Sequence, residues 1–311
     1  MTKKIWIDTD CGVDDALAII CACKLPDLEI LGMSSGVGTT TLENTFRNTR
    51  NVLHLLKRDD IKVYKGAESS WIRPYAPAPA FHGENGLGNV ALADSPVPIE
   101  EKPAWDALYE TAVNNGPLTI VTIGQLTNLA NTIIKYPDFG DHVDQVLIMG
   151  GSIVGGNTTM AAEANIYRDP QAAQCVLKSG LKIVLFPLDV TTKVYLSRQD
   201  QEELFAYDNP LAAFAGKATA IALETNRKNY NYDNYDLHDL CPVLYLDYPE
   251  YFSGKKGAVY VESREGICCG KTVSDIYTLM DKRLKDNEVE IMLEAEREKL
   301  VLIVKDIFAN G

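Results

Sequence analysis

Asp8, Asp10, Asp14 and Asp15 fall within one stretch of eight residues, between the apolar run Ile5-Trp6-Ile7 and a second run, Ala16-Leu17-Ala18-Ile19-Ile20. On a strand, side chains two apart share a face, so Asp8 and Asp10 point one way before Gly12 turns the chain into a helix. Asp14 and Asp15 open that helix, where its positive end favours their ionised form. Four like charges this close still repel one another, and a hard divalent cation relieves the repulsion. Helix capping explains Asp14 and Asp15 but leaves Asp8 and Asp10 without a purpose.

Two further groups could do chemistry. Asn157, Glu163 and Asn165 mix hydrogen-bond donors and acceptors and suit vicinal hydroxyls, each of which both gives and takes a hydrogen bond. The same stretch also reads as a turn at Gly156-Asn157-Thr158-Thr159 followed by a helix cap at Asn165. His238 adjoins Asp239. His54 and His142 sit in helix-like or charged surroundings and read as surface residues, whereas His82 and His238 do not. A strand ending at Ile123 precedes Gly124-Gln125-Leu126-Thr127-Asn128, and a strand-end carbonyl can ligate a hard cation. Calcium tolerates such carbonyls among six to eight oxygens, while magnesium prefers a strict octahedron.

The elements that position these groups alternate. Apolar runs at 4–8, 29–34, 61–64, 118–123, 145–149 and 182–187 are separated by helical patterns, which predicts an α/β fold with an open, mainly parallel twisted sheet and flanking helices. Ligands of such sheets gather beyond the carboxyl ends of the strands, where the aspartates, Gly36-Val37-Gly38 and Met149-Gly150-Gly151 all fall. Further strands are expected at Lys256–Val261 and around Val289, Ile291 and Leu293, with a closing helix near 296–308. No linker divides the chain, so residues 1–311 are expected to form a single domain. Two mobile loops are expected. The one at 71–88 carries Pro74, Pro77 and Pro79. The one at 223–237 carries Tyr230, Tyr232 and Tyr235, either an aromatic wall for a planar ligand or the amphipathic end of a helix.

A net charge of -13 argues against a nucleic-acid polymer or an anionic membrane as partner, because both require clustered Lys and Arg. A small neutral molecule fits better. The first residues contain no apolar run of signal length and no segment reaches a membrane span, so a cytoplasmic home is expected. The odd set of seven cysteines lacks Cys-x-x-Cys pairs and reads as reduced, mostly buried thiols.

Taken in order, Asp8-Thr9-Asp10-Cys11-Gly12-Val13-Asp14-Asp15-Ala16, His82-Gly83-x-x-Gly86-Leu87-Gly88, Ile123-Gly124-x-Leu126-Thr127-Asn128, Met149-Gly150-Gly151, Glu163-x-Asn165-Ile166 and His238-Asp239 resemble the inosine-uridine preferring nucleoside hydrolase family. The resemblance runs from residue 4 to about 275. It implies hydrolysis of the N-glycosidic bond of ribonucleosides, purine or pyrimidine, around one bound Ca2+, in a homodimer or homotetramer. It assigns the metal to Asp10, Asp15, the Ile123 carbonyl and Asp239, with Asp8 orienting its neighbours from behind. Asp10 becomes the general base and His238 the group that helps the base depart, with His82 or a tyrosine such as Tyr230 as helper. Asp14 and Asn165 would hold the 2'- and 3'-hydroxyls, Asn157 and Glu163 the 5'-hydroxyl, and Met149 would pack on the ribose ring.

Departures from the family pattern are Thr39 in place of a common Asn, Cys11 in place of Pro, and Ala164 in place of Phe. Thr39 reduces one expected ribose contact to a hydroxyl. Two rival readings stand beside the hydrolase. One is a calcium-dependent nucleoside or sugar-binding protein without turnover. The other is a haloacid dehalogenase-type phosphatase with Asp8 as nucleophile and Asp10 as acid, which leaves Asp14, Asp15 and His238-Asp239 unexplained.

Overall fold

The computed structural model describes residues 2–74, 78–277, 279 and 288–311. The first half alternates β1 (Lys3–Thr9), α1 (Val13–Lys24), β2 (Leu28–Ser35), α2 (Leu42–Leu55) and β3 (Val63–Lys65), then the short α3 (Pro79–His82) and α4 (Ala104–Asn115). It continues through β4 (Leu118–Thr122), α5 (Thr127–Lys135), β5 (Val143–Met149), α6 (Ala164–Arg168), α7 (Pro170–Leu177) and β6 (Ile183–Phe186). A mostly helical stretch follows: α8 (Leu188–Thr191), β7 (Tyr195–Leu196), α9 (Arg198–Phe205), α10 (Pro210–Tyr230), β8 (Tyr235–Asp236) and α11 (Leu240–Asp247). The chain closes with β9 (Phe252–Val261), β10 (Thr272–Asp275), β11 (Glu288–Ala295) and α12 (Arg297–Ala309).

Nine strands form one sheet in the order β10-β9-β11-β6-β5-β4-β1-β2-β3. Every pair from β3 to β11 is parallel, while β9 runs antiparallel to β11 and β10 antiparallel to β9. The central strands are buried on both faces, as a helix-covered parallel sheet requires. On β1, Ile5 and Ile7 enter one core with α1 and α11, and Trp6 enters the other with α4 and α5.

The topology fixes where a ligand can sit. The chain leaves β1 toward β2 and β3 on one side and returns on the other as β4, so the loops after β1 and β4 diverge and leave a crevice between them. The Thr9 carbonyl accepts from Gly36 N–H at 2.9 Å and the Asp8 carbonyl from Ile123 N–H at 2.8 Å, which pins both flanking loops to the aspartate segment.

Asp8 ties three elements together beneath that crevice. Its Oδ1 accepts from Ser34 Oγ on β2 at 2.5 Å and from Asn128 Nδ2 on α5 at 2.8 Å, and Ser34 Oγ in turn accepts from Trp6 Nε1 at 2.9 Å. Asn128 Oδ1 also accepts from Ala67 N–H at 2.8 Å, securing the segment after β3. Burial pushes the Asp8 carboxyl up to about 7, against the pull of Ser34 and Asn128.

The expected strands are present, several with longer bounds, and 223–237 differs from the expected loop: residues 223–230 are the last turns of α10 and 235–236 form β8. Asn231 ends α10 in the left-handed conformation at φ 51°, which Asn tolerates well. The 71–88 segment contains α3, and Pro77 lies outside the described residues. Because Asn128 serves both Asp8 and Ala67, Asn128→Ala is expected to cost about 1–3 kcal/mol, read as a lower midpoint in denaturant unfolding.

Candidate active site

The site assembles at the β1 and β4 carboxyl ends from several chain segments, among them residues 10–15, 38–39, 163–168 and 238–239. Asp15, in the first turn of α1, accepts from Gly12 N–H at 2.9 Å and from Thr9 Oγ1 at 2.5 Å. Its carboxyl is hydrogen-bonded to that of Asp239, and burial raises both. Asp239 is raised further by the charges of Asp15, Asp14 and Asp10. Asp14 Oδ2 accepts from Asp239 N–H at 3.0 Å, so α1 and the segment before α11 meet carboxylate to backbone. Asp10 Oδ2 accepts from Thr39 N–H at 2.6 Å, and Thr39 Oγ1 donates to the Asp10 carbonyl at 2.5 Å. Thr39 therefore holds Asp10 with both its groups.

Close approach makes glycine necessary at Gly38. A Cβ there would lie 2.0 Å from Asp10 Oδ2. At Gly12 a Cβ would come 2.6 Å from His82 Nδ1, which accepts from Val13 N–H at 3.2 Å. Burial, with the charges of Arg168 and His238 adding to it, lowers His82 to about 3, so its ring is neutral. His238 is lowered by burial, with Asp236 opposing, and its Nδ1 bonds Thr191 Oγ1 at 2.7 Å.

On the far side, Asn165 Nδ2 donates to the Ile123 carbonyl at 3.0 Å and to the Met149 carbonyl at 3.2 Å. Glu163 caps α6: its carboxylate accepts from the N–H groups of Asn165, Ile166 and Gly151 at 2.8, 3.2 and 2.9 Å. Glu163 thus clamps the Met149-Gly150-Gly151 turn to α6. Asn157 is exposed and accepts from Ala164 N–H at 3.0 Å. Tyr230 ends α10, exposed, with its ring stacked on Phe81 at 6.5 Å. Tyr232 bonds Asp236 at 2.6 Å while Tyr235 is buried, so the three tyrosines do not line one wall.

Sequence reading missed Arg168. Its Nη1 donates to Asp10 Oδ2 at 3.0 Å and to Asn165 Oδ1 at 3.2 Å. The one local signal was its spacing of three from Asn165, which puts both on one helix face. Thr191, which fixes the His238 ring, carried no local signal at all.

Five carboxylates, Asp8, Asp10, Asp14, Asp15 and Asp239, are buried here, and among the described residues the ion pair that answers them is Arg168 with Asp10. Asp8 Oδ2 and Asp14 Oδ1 are buried without a hydrogen-bond partner. Such a charge deficit fits a divalent cation. Among the described residues no three His, Cys, Asp or Glu groups yet converge at coordinating distance. Arg168 engages Asp10, and Asn165 engages the Ile123 carbonyl.

The buried acids lie at the switch point of the parallel sheet, where such sheets gather their ligands, with the Asn165 amide at the same rim. The chain belongs to the inosine-uridine preferring nucleoside hydrolases, whose family model matches residues 5–301, and it is a nucleoside hydrolase. It is 34% identical to the pyrimidine-specific ribonucleoside hydrolase RihA of Shigella boydii over 98% of both chains, and 33% identical to that of Escherichia coli K12 over 98% of both. A plant nucleoside hydrolase superposes with TM-score 0.94 at 30% identity over the whole of both chains. A purine-preferring ribonucleoside hydrolase from Gardnerella vaginalis superposes with TM-score 0.91 at 26% identity, over 99% of this chain and 100% of its own. Family membership sets the phosphatase alternative aside. Enzymes of this family are metal-dependent in general.

Two outcomes are expected. Gly38→Ala displaces Asp10 and should lower nucleoside hydrolysis by roughly 100-fold, as misplacement of about 1 Å can do, with the circular dichroism spectrum unchanged. Burial, with Asp15 adding to it, pushes Asp10 up to about 7, so a cation must displace protons from it at lower pH. Divalent-cation affinity of the chelator-stripped protein should therefore strengthen as pH rises toward neutrality, measured by calorimetric titration.

Proposed function

We propose that this protein hydrolyses the N-glycosidic bond of ribonucleosides to ribose and free base, with calcium as its metal. The observation that carries the proposal is the convergence of Asp10, Asp14, Asp15 and Asp239 on one buried cleft with His238 and Asn165 at its sides. Asp10, Asp15, Asp239 and the Ile123 carbonyl would hold the cation, which when bound supplies positive charge that acidifies water and attracts sugar hydroxyls.

The remaining roles fall to the chain's own groups. Asp10, steadied by Thr39, takes a proton from the attacking water as general base. Asp14 accepts from the 2'-hydroxyl through Oδ1, the oxygen with no partner within the protein. Asn165 holds the 2' and 3' edge and Met149 packs on the ring. Positive charge develops on the sugar as the bond breaks, and the clustered carboxylates stabilise it. His238, its ring fixed through Nδ1 by Thr191 and with Nε2 3.8 Å from Asp236 Oδ2, helps the base depart. Asn157 and Glu163 act on the 5' side chiefly by shaping the turn before α6, since their oxygens already accept backbone N–H groups.

Uridine and cytidine are the preferred substrates on this reading, following the pyrimidine-specific relatives. Among the described residues no helix is long and apolar enough to cross a membrane. The enzyme is taken to work as a cytoplasmic homodimer or homotetramer, in one domain whose 71–88 and 223–237 segments border the base.

The test is ribose release from uridine, cytidine, inosine, adenosine and thymidine, with calcium and after exhaustive chelation. Calcium-dependent release, fastest from the pyrimidine ribonucleosides, is expected. Binding of ribonucleosides with no ribose released would instead establish a binding protein without turnover. Asp10→Asn is expected to lower kcat by about 10²–10⁴ while the protein stays folded, the usual range for loss of a general base.

A further inference from the structure

Arg168 stands where the proposed metal site would draw its ligands. It is the last residue of α6, its side chain is only 18% exposed, and its Nη1 lies 3.0 Å from Asp10 Oδ2. Three residues earlier on the same helix, Asn165 puts its amide nitrogen 3.0 Å from the Ile123 carbonyl. Arg168 also donates to Asn165 Oδ1 at 3.2 Å, which links the two side chains into one unit. Two of the four expected metal donors, from β1 and from the end of β4, are therefore held by a single face of α6.

The charges follow the same arrangement. Among the described residues, Arg168 with Asp10 at 3.0 Å is the ion pair formed by the five buried carboxylates. The positive charge beside Asp10 thus comes from within the chain. A divalent cation on Asp10 would place two positive centres against one carboxylate, and cations in a low-dielectric cleft repel strongly.

We propose that Arg168 is an internal counterion that competes with the divalent cation for Asp10, so that metal binding and withdrawal of the guanidinium are one coupled event. The inference rests on the metal reading given under Proposed function. Arg168 acts here by positioning Asp10, not by touching the substrate. If the state with Arg168 withdrawn is about one-tenth populated, apparent metal affinity is reduced roughly tenfold.

The experiment titrates the full-length, chelator-stripped protein with calcium chloride in competition with a chromophoric chelator. It compares the natural protein with Arg168→Met and with Arg168→Gln, which keeps a polar group beside Asn165. Both variants are expected to bind calcium roughly tenfold more tightly. They should melt at a lower temperature than the natural protein in chelator, where Asp10 loses its partner, and recover that loss in saturating calcium. Equal or weaker calcium affinity in the variants, or the same loss of melting temperature with and without calcium, overturns the proposal and leaves the metal reading standing. If neither the natural protein nor the variants bind calcium, magnesium or manganese, the metal reading falls and the proposal falls with it. Should Arg168→Met fail to fold, Arg168→Gln carries the comparison alone.

Discussion

The structure depends on negative charge held out of water. Five carboxylates meet at the carboxyl end of β1, all nearly inaccessible to solvent, and burial raises the proton affinity of every one. An ionised carboxylate without a partner in such a place costs several kcal/mol, on the order of the effective penalty for one buried ion. A sequence that selects five of them in one cleft has a use for that potential. The field that disfavours the cluster alone suits a positive charge placed among the carboxylates.

Much of the surrounding fold serves to hold these groups against their own repulsion. Backbone N–H groups of Gly12, Thr39 and Asp239 each donate to a carboxylate, so three chain segments are fixed by the charges they compensate. The sheet order places β4 beside β1, and this adjacency brings the Ile123 carbonyl and, through α6, the Asn165 amide to the same rim. Glu163 uses its carboxylate to clamp that helix to the Met149-Gly150-Gly151 turn.

The parts legible in sequence are those written locally. Alternating apolar runs and helical patterns marked the parallel strands, and the aspartates between Asp8 and Asp15 announced a site because four carboxylates within eight residues repel one another until a positive charge joins them. Roles set by distant contacts were harder to read. Arg168 finds its partner 158 residues away, and a basic residue before Asp169-Pro170 looks like an ordinary helix end. Thr39, read as a shortened ribose contact, spends both its groups on Asp10. The tyrosines of 230–235 sit close in sequence, yet the end of α10 at Asn231 sends them to three environments.

An acidic cleft that serves as a metal site should hold one ion per chain. Equilibrium dialysis of the purified chain against calcium, followed by elemental analysis of the retained metal, tests it directly. One calcium per chain, lost in Asp15→Ala, is the expected result. A folded chain that retains no calcium, or one whose bound calcium is unaffected by Asp15→Ala, would contradict it.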